Sequence, residues 1–345
     1  MRDEDGVMSL DFLAGFTIFL LALIMVVSMV PGLLAGLGSS SIDYDAVAYR
    51  TGVILVEDPG WPVYPPWEMN ANPDDIERMG LAVSKETPNI LLSTKVDRFF
   101  DATFAPDDYR SKAIFGDIPY SYNFSLNISH PWGYEVEQTG DPLPPGHGYI
   151  RRVVKIKEPG AAVIDGSLAP RYLIPVAERQ NTTTREFTVR LDLRELLDPS
   201  IGPAYRIDPR TEPVSVTIRD FDAYLNGTAS DATLTSVRFW KMDTARPNPR
   251  FTLIPFSYEA MDPNIYTLRI DGEGCNLTPN RPVTSSISFV LKPEAISRFT
   301  LDQNSILDIR FTFDNKTNIG GTYLYNYENA TPPPLKPAVL EVAIW

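Results

Sequence analysis

Cysteine is almost absent. A single residue, Cys275, in a chain of 345 excludes an intrachain disulfide and any cysteine-based metal cluster. Histidine is nearly as scarce, with only His130 and His147, too few for a histidine-rich metal or haem centre. Neither a metal nor a cofactor is therefore expected. Positive charge is in deficit: the formal net charge is −13. That removes the electrostatic basis for nucleic-acid binding and fits a solvated, exposed surface. No repeat of fixed period is present.

Hydrophobic residues are concentrated rather than scarce. From Phe12 to Leu37 no charged residue occurs, and the uncharged run extends to Ile42 before Asp43 ends it. About 20 apolar residues suffice to cross a bilayer as a helix, and a helix satisfies its own backbone groups there. The run is too long for the apolar part of a secretory signal peptide, and Pro31-Gly32 leads to no evident processing site. A plain signal anchor should have a basic cytoplasmic flank, whereas Arg2 here faces Asp3, Glu4 and Asp5. Asp11 is the odd residue, a carboxylate at the membrane edge that is costly unless paired or close to the headgroups.

A polar leader ending at Gly6, then Val7-Met8-Ser9-Leu10-Asp11 and the apolar run, resembles the class III signal of type IV pilins and archaeal pilin-like proteins. The resemblance implies cleavage after Gly6 by a prepilin-type peptidase, with Val7 as the new N-terminus. Asp11 then stands where that family places its fifth-position acid, commonly a Glu, and pairs with the α-amino group of a neighbouring subunit. The hydrophobic helix is kept as the assembly core. Asp in place of Glu and an acidic leader are departures from the family pattern. The alternative is that Asp11 lies in the headgroup layer of an ordinary anchor. Near the outer end, Gly32 and Gly36 have a small-xxx-small spacing that permits close helix approach, or marks a flexible exit from the membrane.

Residues Ile42 to Leu55 continue with helical spacing at Val47, Arg50/Thr51 and Ile54, until Asp58-Pro59-Gly60 stops them. Short helices are expected from Pro73 to Met79, Ser93 to Phe100, Pro106 to Phe115 and near Glu294–Phe299. The order of these pieces over the first 130 or so residues resembles the membrane-proximal part of archaeal pilin-like exported proteins. Beyond Tyr120 the period changes to two. Phe187, Val189, Leu191 and Leu193 alternate with polar residues, as do Val214, Val216 and Ile218, and Leu307, Ile309, Phe311 and Phe313. Such alternation marks strands with one wet face. Further strands are expected at Tyr149–Lys157, Thr233–Lys241, Phe251–Pro255, Ile265–Ile270, Val283–Lys292, Gly320–Tyr325 and Ala338–Trp345. The fold class is α+β, mainly β: a transmembrane helix, short helices, then an antiparallel β-sandwich or jelly-roll-like domain. The expected divisions are a leader at 1–6, helix and extension at 7–57, a membrane-proximal α+β region at 58–140 and the sandwich at 141–345. The turn-rich Asp141–Gly146 sets the last boundary, or else is a loop inside one domain.

Seven Asn-X-Ser/Thr sequons occur, at Asn123, Asn127, Asn181, Asn226, Asn276, Asn315 and Asn329, where chance gives about two. All follow the apolar run, which supports export and glycosylation, although β-rich domains favour such turns anyway. Catalysis is not expected. His147 sits in a flexible Pro-Gly-His-Gly setting, but no Gly-x-Ser-x-Gly elbow accompanies it. Asp220-Phe221-Asp222 with Asn226-Gly227, and Asp271-Gly272-Glu273, are fragments of calcium loops; Tyr224 occupies a ligand position in the first. Trp61, Trp67, Trp132, Tyr134 and the Tyr323/Tyr325/Tyr327 alternation are candidates for a sugar-binding platform, or for core. Together these point to a pilin-like subunit or minor pilin of an extracellular filament or surface assembly, with a structural or adhesive role and no enzymatic one. Its expected partners are other pilin-like subunits, the peptidase, the membrane and a surface glycan. The alternative is a single-pass anchored protein whose sandwich binds, or less readily cleaves, carbohydrate.

Overall fold

The computed structural model describes residues 10–38, 42–101, 103–116, 118–179, 183–255, 262–274 and 280–345. The chain divides into two compact units between Tyr44 and Asp45. In the first, α1 (Leu10–Gly38) has 29 residues, about 43 Å at 1.5 Å per residue. Nothing between Phe16 and Val30 breaks it, since that stretch holds neither proline nor glycine. Its hydroxyls bond back to the helix, Thr17 Oγ1 to the Leu13 carbonyl at 2.7 Å and Ser28 Oγ to that of Met25 at 2.8 Å. The helical backbone continues through Pro31-Gly32 to Gly38.

The second unit opens with α2 (Tyr44–Glu57), which buries Ala48, Thr51, Gly52, Leu55 and Val56, one stripe of a 3.6-residue period. This stripe lies one position beyond the one marked by Val47 and Ile54. Small residues lead it because the helix lies close to a sheet: a Cβ on Gly52 would stand 3.0 Å from the Ile150 side chain. Gly60 stops the chain at φ +82° beneath the Trp67 ring, a conformation suited to glycine. Only Pro73–Asp75 of the helix expected to Met79 forms, as one 3-10 turn capped by Asn72. The chain then bridges Trp61 to Arg78 as extended backbone.

There follow β1 (Ile90–Leu92), α3 (Ser93–Phe100), and α4 (Pro106–Tyr109) running into a π turn at Arg110–Ile114. The hairpin β2 (Tyr122–His130) and β3 (Gly133–Gly140) leads to β4 (Gly148–Lys157). Next come β5 (Ala161–Ile164), α5 (Ala169–Tyr172), β6 (Thr184–Asp192), α6 (Leu193–Leu196), β7 (Val214–Ile218), β8 (Ala232–Asp243) and β9 (Thr252–Leu253). The chain ends with β10 (Tyr266–Ile270), β11 (Glu273–Gly274), β12 (Arg281–Val283), β13 (Ile287–Leu291), α7 (Glu294–Arg298), β14 (Ser305–Asp314), β15 (Gly321–Tyr325) and β16 (Leu335–Ile344).

Among the described residues these strands make three sheets. Sheet one runs β1-β4-β16-β2-β3, sheet two β11-β10-β13-β7-β5, and sheet three β12-β8-β14-β6-β15 with β9 beside β8. Pairing is antiparallel except at β1–β4, β5–β7 and β6–β15. Sheets two and three share one core, where Phe289 of β13 meets Phe311 of β14 edge to face at 5.7 Å. Each ring burial is worth about 1.5–3 kcal/mol. The protein is thus α+β and mainly β, with an N-terminal apolar helix and a sandwich.

The boundary at 141 falls inside sheet one. Asn123 of β2 pairs with Gly140 of β3, β16 pairs with both β2 and β4, and Asp141–Gly146 is the loop joining β3 to β4. The last strand, expected in the sandwich, is the central strand of sheet one. The sandwich, from Ala161 to Thr331, is instead inserted between β4 and β16. Its two connections run side by side: Lys157 pairs with Leu335, Glu158 N donates to Pro334 O at 3.0 Å, and Thr331 N to Ala161 O at 2.7 Å.

Other departures have local causes. Leu193 leaves its strand because the Asp192 carboxylate accepts from Arg194 N at 3.0 Å and caps α6. The run Val283–Lys292 splits into β12 and β13 because Thr284, Ser285 and Ser286 turn their N–H groups onto Asp271.

Candidate functional site

Along α1 every side chain from Phe12 to Val30 is exposed, and this 19-residue window has a mean hydropathy of 2.7 with none of it buried. By length and composition it is a candidate membrane span or signal. Asp11 lies in the first turn of α1, and its side chain lies outside the described part, as do Gly6 and Val7.

The aromatic platform comes apart in three dimensions. Tyr323 and Tyr325 face the sandwich core, their hydroxyls donating to Asn329 O at 2.6 Å and Gly160 O at 2.9 Å. Tyr327 is half-buried, accepting from Ile207 N and donating to Leu196 O. Trp67 is fully buried, with Nε1 donating to Gly80 O at 2.8 Å. The alternation therefore marks the core side of its sheet. Trp61, Trp132 and Tyr134 remain exposed, and Trp132 stacks on His130 at 5.2 Å.

The candidate reactive and cation-binding groups already have structural work. His147 Nδ1 lies 2.9 Å from Pro144 O, and its ring meets Tyr149 and Trp345. Asp220 accepts from Gly166 N at 3.3 Å and starts a 3-10 turn, Phe221–Tyr224, that buries Tyr224. Asp271 accepts from Thr284, Ser285 and Ser286 N–H groups and from two hydroxyls. Burial opposes its charge, but these hydrogen bonds prevail and hold its carboxyl down at about 2. No group of three or more His, Cys, Asp or Glu among the described residues is arranged to hold a metal.

Two buried ion clusters escaped the sequence reading. At the join between sheet one and the sandwich, Lys157 and Glu212 are each 1% exposed and 2.6 Å apart. Lys157 Nζ also donates to Pro203 O at 3.2 Å and Arg206 O at 2.5 Å, so all its protons are used. Burial pushes the Glu212 carboxyl up. Beneath α3, Lys95 Nζ donates to Pro59 O at 2.7 Å and Ala82 O at 2.9 Å, and burial lowers its pKa. Nearby Glu68 is 6% exposed and accepts from Thr94 Oγ1 at 3.4 Å, while its Oε2 has no partner. Burial pushes the Glu68 carboxyl up to about 7, against the opposing charge of Lys95. Sequence gave no signal for these, because each partner lies on a distant segment.

The sequons fall in unlike settings. Asn226 and Asn315 are exposed in turns, and Asn127 and Asn329 are half-buried. Asn123 is 4% exposed, with Nδ2 donating to Asp141 O and Oδ1 accepting from Gln138. Asn181 and Asn276 lie outside the described residues.

A family of unknown function (DUF7287) matches residues 3–62, an interval that takes in α1 and α2 and stops ahead of all three sheets. An uncharacterized protein of Archaeoglobus fulgidus is 28% identical over 153 residues, 41% of this chain and 79% of the relative. No solved structure matches.

Proposed function

We propose that the chain is a pilin-like subunit of a surface filament or assembly, cut after Gly6 and held through α1 first by lipid and then by neighbouring α1 helices. The observation that carries this reading is the bare apolar surface from Phe12 to Val30 in a chain whose second unit has a core of its own. A stripe of this hydropathy must leave water, and lipid or sister helices are the environments that take it without exposing backbone. The match to residues 3–62 supports treating leader, α1 and α2 as one recurring piece. Burial of Tyr323 and Tyr325 counts against the anchored carbohydrate-binding alternative.

Asp11 separates assembly from anchoring. In an assembly core its carboxylate neutralises the Val7 amine of a neighbour, and removing one partner of a buried pair costs about 3–5 kcal/mol. An Asp11→Ala chain is expected to be processed and kept in the membrane, yet missing from sheared filaments. Incorporation of this variant at wild-type levels overturns the assembly role. Intact-mass measurement should find a mature N-terminus at Val7, and retention of Met1 overturns the class III reading.

A further inference from the structure

Sheet one has two faces of opposite character. One buries Phe124, Leu126, Val154, Ile156, Leu340 and Val342 under α2 and α3. The other has no element over its middle among the described residues. There the strand register sets Val136 of β3, Asn127 of β2, Val339 of β16 and Val153 of β4 in one row. Val136 is 56% exposed, Val153 75%, and Tyr134, on the same face of β3, 80%. Val136 and Val153 stand exposed at the two ends of this row, with half-buried Asn127 and Val339 between them and the exposed Tyr134 beside it, an apolar strip that a cover would take out of water.

The residue in the middle of that row begins a sequon, Asn127-Ile128-Ser129. Its side-chain amide makes no hydrogen bond among the described residues, unlike Asn123 four residues earlier on the same face, whose amide is occupied at both ends. We propose that Asn127 carries an N-linked glycan whose first sugars lie across Val136, Val153 and the Tyr134 ring and form the cover of this face. Sugar C–H groups pack on aliphatic and aromatic surface, while the hydroxyls keep the outer side wet. The donor is a sugar joined through C1 to a lipid-carrier phosphate. Its C1–O bond breaks, the Asn127 Nδ2–C1 bond forms, Nδ2 loses one proton, and the lipid phosphate leaves with the bonding pair. The topology leaves time for the transfer. β2 pairs on one side with β16, which follows the whole inserted sandwich in the chain, so that side of Asn127's strand stays open until β16 has been made.

The inference rests on export of the domain, not on filament assembly, so either can fail alone. Full-length protein would be taken from the membranes of its own cells and shown by surface labelling to be exported. Peptide mapping by mass spectrometry is expected to find glycan on Asn127. Ser129→Ala leaves Asn127 in place and removes acceptor function at a solvent-side position. The bare protein is expected to bind an apolar fluorescent dye roughly threefold more strongly, and adding Val136→Thr and Val153→Thr should reverse the gain. An exported protein with Asn127 unmodified overturns the proposal, whether the face is then open or covered by a second copy seen as a dimer. Unchanged dye binding in Ser129→Ala overturns the covering role.

Discussion

Replacing buried Glu68 with glutamine should make the protein more stable at neutral and alkaline pH. Its carboxyl has an ordinary value near 4.5 and is pushed up to about 7 in the fold, burial outweighing the attraction of Lys95. Below pH 4.5 the group is protonated in both states and adds no pH dependence. Between 4.5 and 7 the unfolded chain has released a proton that the folded chain still holds. Stability therefore falls as pH rises through this window and levels off above the folded value. A shift of this size is worth about 3 kcal/mol at 1.36 kcal/mol per unit, and with Glu68 only 6% exposed solvent screening takes little of it. Glutamine keeps the acceptor for Thr94 and matches the neutral acid in shape. Denaturant titrations of wild type and Glu68→Gln from pH 4.5 to 8.5 should diverge with rising pH, the variant leading by about 3 kcal/mol at the alkaline end. Parallel curves, or a variant weaker at pH 8, would refute the reasoning and show that Lys95 depends on a charged partner.

Glu212→Ala should lose about 3–5 kcal/mol in the same titration, since it strands the Lys157 charge and the Asp208 N–H, which donates to Glu212 Oε1 at 2.7 Å. The Lys157→Met/Glu212→Leu double variant should recover most of that loss, because apolar replacement of a whole buried pair is commonly neutral. Asp271 has the opposite pH signature to Glu68. Its folded value of about 2 lies below the ordinary 3.8, so its stabilisation is present above pH 3.8 and lost as pH falls through 2. Asp271→Asn should lower the melting temperature at pH 7, and the gap to wild type should close by about pH 2.

The parts of the fold legible in the sequence were those set by local periodicity. The alternation at Phe187–Leu191, Val214–Ile218 and Leu307–Phe313 became β6, β7 and β14 because each strand has one face in the shared core. Pairing order was not legible. No local pattern says that β16 belongs between β2 and β4 rather than in the sandwich that precedes it, because such long-range choices rest on packing complementarity. Tyr323 and Tyr325 show the same limit within β15: spacing placed them on one face, and only the opposing sheet decided that the face was internal, while Tyr327 lies beyond the end of the strand. At the N-terminus length and composition alone identify a helix able to span a membrane, since in lipid no partner strand has to be found.

The side-by-side connections at Lys157 and Leu335 have a mechanical consequence. A pull entering through α2 passes into sheet one, whose central strand is β16, and need not travel through the sandwich. The inserted 170 or so residues hang from that frame as a side branch, so a load carried by sheet one would bypass them. Sequence drift there can alter the sandwich while the strand pairs of sheet one stay as they are.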